Sequence, residues 1–393
     1  MNSYVITITE VDDPEIALEE LHGQLSAIIL QKNSIGIVSV NPEFFSSGVY
    51  ETIVKAVPFP VIGMSAYTQN ANGETGIYLF SILVLSSDNC EFAYGVSDVI
   101  PEKGDVLAIT QDFYKGLALD LTDRAKLAFL YAPYIMQQCS YNYLQAISEI
   151  DGRLPIFGSL ASNELTKMMT DTITLCGEKM YNDRLVMLLV SGEISPQFYI
   201  GTITEKAVIM RNIGEVTAAK DHVVMEINNA RASDFFEKIG IKDGADILLE
   251  GTLSFMIIAD ELDESGKVIS SVARGLAAIE DGAALFGGRI PVGAVLSVAV
   301  TTKDVIVDTA REVLSRIKSE HSDKTALLYS CLGRQIALLD EPMMEYEIIR
   351  EEFKNNNFNY VVSASGGEIC PTFVTETEIY NREHDQSLIA CVF

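Results

Sequence analysis

Two periods of hydrophobicity alternate along this chain. Runs of roughly four to eight apolar residues have the length of buried strands, and between them apolar residues recur every third or fourth position, as on a helix with one covered face. Near the start, Asp13-Pro14-Glu15 supplies an N-cap, a proline at the first helical position and acid in the first turn. Ile16, Leu18, Leu21 and Leu25 then form a helical stripe. One arrangement recurs three times. A strand (Ile35–Val40, Leu127–Tyr131, Ala326–Tyr329) leads to a helical segment (Tyr50–Ala56, Tyr141–Ile150, Met344–Phe353). A second strand then ends in small residues: Gly63-Met64-Ser65, Gly158-Ser159 and Ser363-Ala364-Ser365. Another apolar strand closes each unit (Tyr78–Leu85, Arg184–Val190, Ser387–Val392). Any α/β chain alternates in this way, but a duplicated unit explains why the small-residue end returns in the same place. Glycine or serine there lets a backbone or a guest come close, and open α/β sheets collect ligands where their strands end. The three ends are the first place to expect a pocket.

Further segments lie between the second and third units. Ser254–Ala259, Ala283–Phe286 and Val295–Val300 read as strands, and Glu261–Lys267 as a polar hairpin turn around Ser265-Gly266. Ile306, Ala310, Val313, Leu314 and Ile317 make an amphipathic helix that Thr302 is placed to cap. Charged and small residues interrupt the strand pattern near 205–220, which divides the chain into one module over 1–215 and another over 216–393. The expected fold is α/β: mixed β-sheets flanked by helices, built from repeated strand-helix-strand units in two modules. A layered αββα arrangement would accommodate them.

Composition narrows what such a chain does. With 393 residues, 48% hydrophobic and 21% charged, it has the makeup of a globular protein of more than one domain. Lys+Arg is 28 against Asp+Glu 55, and the net charge of −27 repels phosphate backbones and anionic lipid. Neither nucleic acid nor membrane is an expected partner. No apolar run approaches the roughly 20 residues that span a bilayer. The first basic residue is Lys32, so the start lacks the positive segment of a secretory signal. Six scattered cysteines suit reduced thiols, and four histidines without a CxxC make a zinc site unexpected. A cytoplasmic protein is expected.

Six motifs follow one another in the second half. They are Ala232-Ser233-Asp234-Phe235-Phe236-Glu237-Lys238-Ile239-Gly240, Val272-Ala273-Arg274-Gly275, Ile290-Pro291-Val292-Gly293-Ala294, Ser330-Cys331-Leu332-Gly333-Arg334, Gly367-Glu368-Ile369-Cys370-Pro371 and His384-Asp385-Gln386-Ser387. In that order they resemble the C-terminal module of the FIST sensory domain proteins, a family widespread in bacteria. Gly63-Met64-Ser65 and Gly158-Ser159-Leu160-Ala161 are similar to its N-terminal module, and the likeness spans about residues 25–393. Met64 stands where the family often has a cysteine, and residues 256–270 carry a polar insertion that the likeness does not place. The resemblance implies a signal-transduction sensor for a small ligand, not an enzyme. Amino acids are among the ligands it implies, and haem in members that sense nitric oxide. The outputs it implies are a histidine kinase, a chemotaxis receptor or a cyclic-dinucleotide enzyme. This chain leaves no room for a fused output domain, so the expectation is a separate partner.

The chemical candidates gather at strand ends. A guanidinium three residues from Cys331 could lower its thiol pKa, although the spacing is not the Cys-x5-Arg phosphate loop. Equally, Cys331 reads as a small buried residue and Arg334 as the partner of an acid such as Glu345. As a ligand group, Arg334 has a fork that suits a carboxylate. Gly367 and Glu368 combine backbone freedom with one carboxylate, either a turn residue or the partner of a ligand's ammonium group. Together with Arg334 that split suits an amino acid. His384, beside Asp385, is a better axial haem ligand than His22, or else a polar pocket residue, while His222 and His321 read as surface. Phe286-Gly287-Gly288-Arg289 has neither dinucleotide nor P-loop spacing. Ser65, Ser159 and Ser363 resemble the nucleophiles of ring-opening amidohydrolases, which act on cyclic amides, but a serine needs a base and no lysine recurs beside them. The expected ligand-binding set is Ser65, Ser159, Cys331, Arg334, Gly367, Glu368 and His384, in a cleft between the modules, with no catalytic residue and no metal.

Overall fold

Three consecutive units, with a barrel set into the last of them, make up the protein in this computed structural model. It describes residues 1–393 except 165, 166, 168, 169, 204, 243–254, 264, 322, 323, 339, 355–357 and 374–378. The first unit runs β1 (Asn2–Ile8), α1 (Pro14–Leu25), β2 (Asn33–Val40), α2 (Glu43–Ser46), α3 (Val49–Ala56), β3 (Val61–Ser65), β4 (Gln69–Ala71), β5 (Glu74–Gly76) and β6 (Phe80–Ser87). The second runs β7 (Cys90–Val96), α4 (Leu107–Ala118), β8 (Leu127–Ala132), α5 (Ser140–Ile150), β9 (Ile156–Leu160), β10 (Thr174–Cys176), β11 (Lys179–Tyr181) and β12 (Val186–Gly192). The third begins with β13 (Gln197–Gly201) and then gives way to the barrel. That comprises β14 (Val208–Lys220), β15 (Val223–Ile227), β16 (Ala230–Arg231), α6 (Ala232–Lys238), β17 (Phe255–Leu262), β18 (Val268–Glu280), β19 (Ala283–Phe286) and β20 (Val295–Val300). The unit then resumes with α7 (Lys303–Glu320), β21 (Thr325–Cys331), α8 (Leu332–Ala337), α9 (Met344–Phe353), β22 (Asn359–Ser365), β23 (Gly367–Phe373), β24 (Ile379–His384) and β25 (Leu388–Val392).

Local chemistry starts these elements where the sequence suggests. Asp13 caps α1 by accepting from the amides of Glu15 and Ile16. Ile16 nevertheless points outward, and Ala17 with Leu21 forms the covered face. Thr302 caps α7, whose Ile306, Ala310, Val313, Leu314 and Ile317 are all buried. The polar stretch at 260–268 is the tip of the β17–β18 hairpin, where Asp263 accepts the amides of Ser265 and Lys267. Ser254, the expected start of that strand, and Glu264 lie outside the described residues.

Each unit builds the centre of one six-stranded sheet in the same order. β2 and β3 lie parallel, β6 returns antiparallel beside β2, and β1 covers β6. β8, β9, β12 and β7 repeat this arrangement, as do β21, β22, β25 and β13. The far edge of each sheet comes from another unit. The β10–β11 hairpin of the second unit adds to β3, β23–β24 of the third to β9, and β4–β5 of the first to β22. Hairpins therefore pass cyclically round the three units, and no unit completes its own sheet.

The exchange runs across the expected division at 215/216. That point falls inside β14, and strands from both sides of it share two sheets, β13 beside β25 and β9 beside β23. The strands of the two stretches are interleaved in these sheets. β14 escaped the hydrophobic pattern because only Gly214 and Val216 along it are buried; ladder bonds to β20 and β15, broken by bulges, hold it in place.

Three sheets, not the two of an αββα stack, share the central core. Ile37 and Leu83 come from the first, Phe129, Phe157 and Leu188 from the second, and Tyr329 and Ile389 from the third. Inside it the Tyr131 and Tyr329 hydroxyls meet at 2.8 Å, which satisfies two buried polar groups with one bond. Helices cover the outer faces: α1 and α3 on the first sheet, α4 and α5 on the second, α7 and α9 on the third. In the barrel, β14 pairs with both β20 and β15, so six strands close on a core that includes Phe236, Phe286 and Leu296. No described helix is long and apolar enough to cross a membrane.

Candidate functional site

The three small-residue strand ends do come together. A Cβ on Gly63 would stand 1.9 Å from the Val38 carbonyl oxygen, and one on Gly158 equally close to that of Leu130, so only glycine fits in β3 and β9. Beyond these glycines the chains are laced by hydroxyls. Ser65 Oγ donates to the Ser162 carbonyl at 3.0 Å and accepts the Ile173 amide at 3.1 Å. Ser159 Oγ bonds the Leu160 carbonyl and Ser365 Oγ, both at 2.7 Å, and Ser162 Oγ donates to the Ala364 carbonyl at 2.9 Å. Ser65 and Ser159 are fully buried, so these hydroxyls fasten strand to strand.

Next to this junction the barrel meets the repeat body around a cavity of about 80 Å³. The body supplies Tyr134, Cys331, Leu332, Gly333, Ser365, Gly366, Asp385 and Gln386; the barrel supplies Phe255, Met256, Gly275, Leu276, Ala277 and Gly287. At the cavity the two sides are tied where the Gly275 amide donates to Asp385 Oδ2 at 3.0 Å, and beside it Arg274 Nη1 of the barrel donates to the Glu383 carbonyl at 3.1 Å. A Cβ on Gly287 would lie 2.7 Å from that oxygen, which is why the barrel presents bare backbone there. Gln386 follows in the left-handed region at φ 54°, and its buried Oε1 has no partner among the described residues. A strained residue with an unpaired acceptor is costly unless function retains it.

Burial raises the pKa of the acids around the cavity. Burial, and next the Asp385 carboxylate, pushes Glu383 up to about 8, while Ser140 hydrogen-bonds its carboxyl. Burial likewise raises Asp385. Arg274, itself buried, turns its donors to the carbonyls of Arg289, Ala273 and Glu383.

Of the residues expected to bind ligand, Cys331 lies on the cavity wall. Its sulfur receives the amides of Gly333 and Gln386, yet burial, Glu368 and Asp385 together hold the thiol well above its usual pKa. It is a neutral thiol, not a nucleophile. Gly367 is one step behind the wall, pairing with Leu160, while Gly366 lines it. Glu368 is fully buried behind Gly367; its Oε2 accepts from Ser387 N and Oγ, its Oε1 has no partner, and burial keeps it protonated well above the carboxylate range. Ser65 and Ser159 belong to the junction and not to the wall.

Arg334 requires the largest correction. Only 1% exposed, it spends its guanidinium inside the protein and does not line the cavity. Nε reaches Glu345 Oε1 at 3.0 Å and Nη2 the same oxygen at 2.5 Å. Nη2 also donates to Ile306 O and Thr309 Oγ1, and Nη1 to Gln386 O. The pairing with Glu345 leaves no fork for a ligand carboxylate. Arg334 instead buttresses the backbone of Gln386 from behind.

His384 is also turned inward. Its Nε2 bonds the Cys370 carbonyl at 3.2 Å, and burial, with Arg274 and Arg382 nearby, pulls its pKa down to about 3. A haem does not fit: His384 faces none of the cavities described here, and about 80 Å³ is too small for a macrocycle. Among the described residues no cluster of three histidine, cysteine or acidic side chains is arranged for a metal ion. Asp385 and Gln386, missed as cavity-lining residues, were within reach of sequence reasoning as a polar pair between two strands. Tyr134 and the barrel wall carried no comparable signal.

The sequence matches the family model of the FIST N domain over residues 34–230 and that of the FIST C domain over 232–371. No curated protein matches the chain. Among solved structures, a cyanuric acid hydrolase from A. caulinodans is similar with a TM-score of 0.29 and 8% identity, over 100% of this chain and 98% of that one. A chorismatase structure is similar with a TM-score of 0.32 and 8% identity, over 100% and 97%.

Proposed function

Because the chain belongs to the FIST family, whose domains are small-ligand sensory domains of signalling proteins, we propose that it is a sensor with its ligand held between barrel and repeat body. The observation that carries this reading is the cavity whose two walls belong to different parts of the fold, barrel and repeat body, and meet where the Gly275 amide bonds Asp385. A guest there contacts both walls at once, so binding favours whichever barrel position grips it, and a ligand shifts populations by its differential affinity. The protein acts in the cytoplasm and passes the signal to a separate protein, such as a histidine kinase, chemotaxis receptor or cyclic-dinucleotide enzyme.

A thermal-shift screen of small metabolites against wild type and Ala277→Phe, which fills the cavity from β18, tests the site. Ligand at about 100 times its Kd adds roughly 2.7 kcal/mol of stability. The expected result is at least one compound that raises the melting temperature of wild type and leaves the filled variant unmoved. Compounds that stabilise both proteins equally would place the ligand elsewhere.

A further inference from the structure

We infer that the guest of this cavity is a compact amine: an ammonium group on an apolar body of a few carbons, with no carboxylate. This rests on the sensor reading above and adds the chemistry of the ligand.

Size sets the first limit. About 80 Å³ has room for roughly six water-sized groups, at about 10–15 Å³ each. Shape and polarity set the second. Phe255, Met256, Leu276 and Leu332 offer carbon, so most of the guest is apolar.

Charge decides the head group. Among the described residues no lysine or arginine lines the cavity, and Asp385 is the acidic side chain on its wall. The nearby arginines are committed: Arg334 to Glu345, Ile306, Thr309 and Gln386, and Arg274 to the carbonyls of Arg289, Ala273 and Glu383. A carboxylate or phosphate guest would therefore be buried without a counter-charge beside Asp385, with Glu368 and Glu383 behind it, and an unpaired buried charge is costly. An ammonium meets the opposite situation. Only Oδ2 of Asp385 is taken, by the Gly275 amide, and the Gln386 amide oxygen lacks a donor. A guest rich in N–H supplies what both lack. The amino-acid split between Arg334 and Glu368 gives way to a ligand held by its nitrogen alone.

Calorimetric titration of the full chain with isobutylamine, isobutanol, isobutyrate and valine tests this. The amine is expected to bind at least tenfold tighter than the other three. Asp385→Asn, which keeps an oxygen for the Gly275 amide, is expected to lose at least tenfold in amine affinity while isobutanol is unaffected. Isobutyrate or valine binding as tightly as the amine, or undiminished amine binding by a folded Asp385→Asn, overturns the assignment. If Asp385→Asn does not fold, the ranking of the four probes on wild type decides alone. An acid that binds wild type but not Ala277→Phe would sink the amine and leave the sensor site standing. Failure of all four probes also overturns the amine, and the wider screen then judges the site separately.

Discussion

The Arg334–Glu345 pair decides between two roles for this arginine, and a double-mutant cycle separates them. Both residues are 1% exposed. Arg334→Met leaves the Glu345 carboxylate buried with Ser330 Oγ as its remaining side-chain partner, and breaking a buried pair from one side costs about 3–5 kcal/mol. It also orphans the acceptors at Ile306, Thr309 and Gln386, at roughly 1 kcal/mol each. The expected loss is thus about 6–8 kcal/mol, a large share of the roughly 5–15 kcal/mol that keeps a domain folded. Glu345→Met strands the guanidinium and costs about 3–5 kcal/mol. In the double variant both charges are gone and only the orphaned acceptors remain, so about 3 kcal/mol is lost and the coupling is at least about 6 kcal/mol. Urea unfolding followed by far-UV circular dichroism and by tyrosine fluorescence reads these values; the chain has 16 tyrosines and no tryptophan. Coincident transitions by the two probes license the comparison. Additive single losses would refute the reasoning. So would an Arg334→Met protein of unchanged stability that has lost ligand, since that pattern belongs to a ligand clamp.

Other outcomes follow from the same geometry. Gly158→Ala sets a methyl 1.9 Å from the Leu130 carbonyl oxygen and is expected to yield little folded protein, whereas Gly116→Ala in α4, with open space around it, is expected to gain about 0.5–1 kcal/mol in urea unfolding. Glu383 has a folded pKa raised above its unfolded value, so the stability it contributes is present below the ordinary carboxylate range and lost as pH rises towards about 8. Glu383→Gln keeps a partner for Ser140 and is expected to remove that fall, on the order of a few kcal/mol, between urea midpoints at about pH 5 and pH 8. An unchanged slope would show that Glu383 does not hold its proton in the fold. Cys331 is expected to react with iodoacetamide no faster than a free thiol at neutral pH, because burial and two neighbouring acids disfavour its thiolate.

Much of this architecture is already present in the order of residues. The cap at Asp13, the stripe of α7 and the threefold return of strand, helix and small-residue end are local patterns. The chain realises them because capping, amphipathic burial and close backbone approach act between neighbours in sequence or within one element. Glu345 stood among the possible partners of Arg334, eleven residues away, but so did a ligand. What only the tertiary structure decided is non-local. Backbone ladders offer the same hydrogen bonds to any strand, so nothing in β4, β10 or β23 announces that each completes a neighbour's sheet. β14 carries too few buried side chains to show as a strand until its partners are in place. The cavity exists only where Gly275 and Gly287 of the barrel approach Asp385. The charge states of Glu368, Glu383 and His384 arise from the water that this approach removes. Desolvation is a property of the assembled volume, and one-dimensional order contains the groups but not the distance between them.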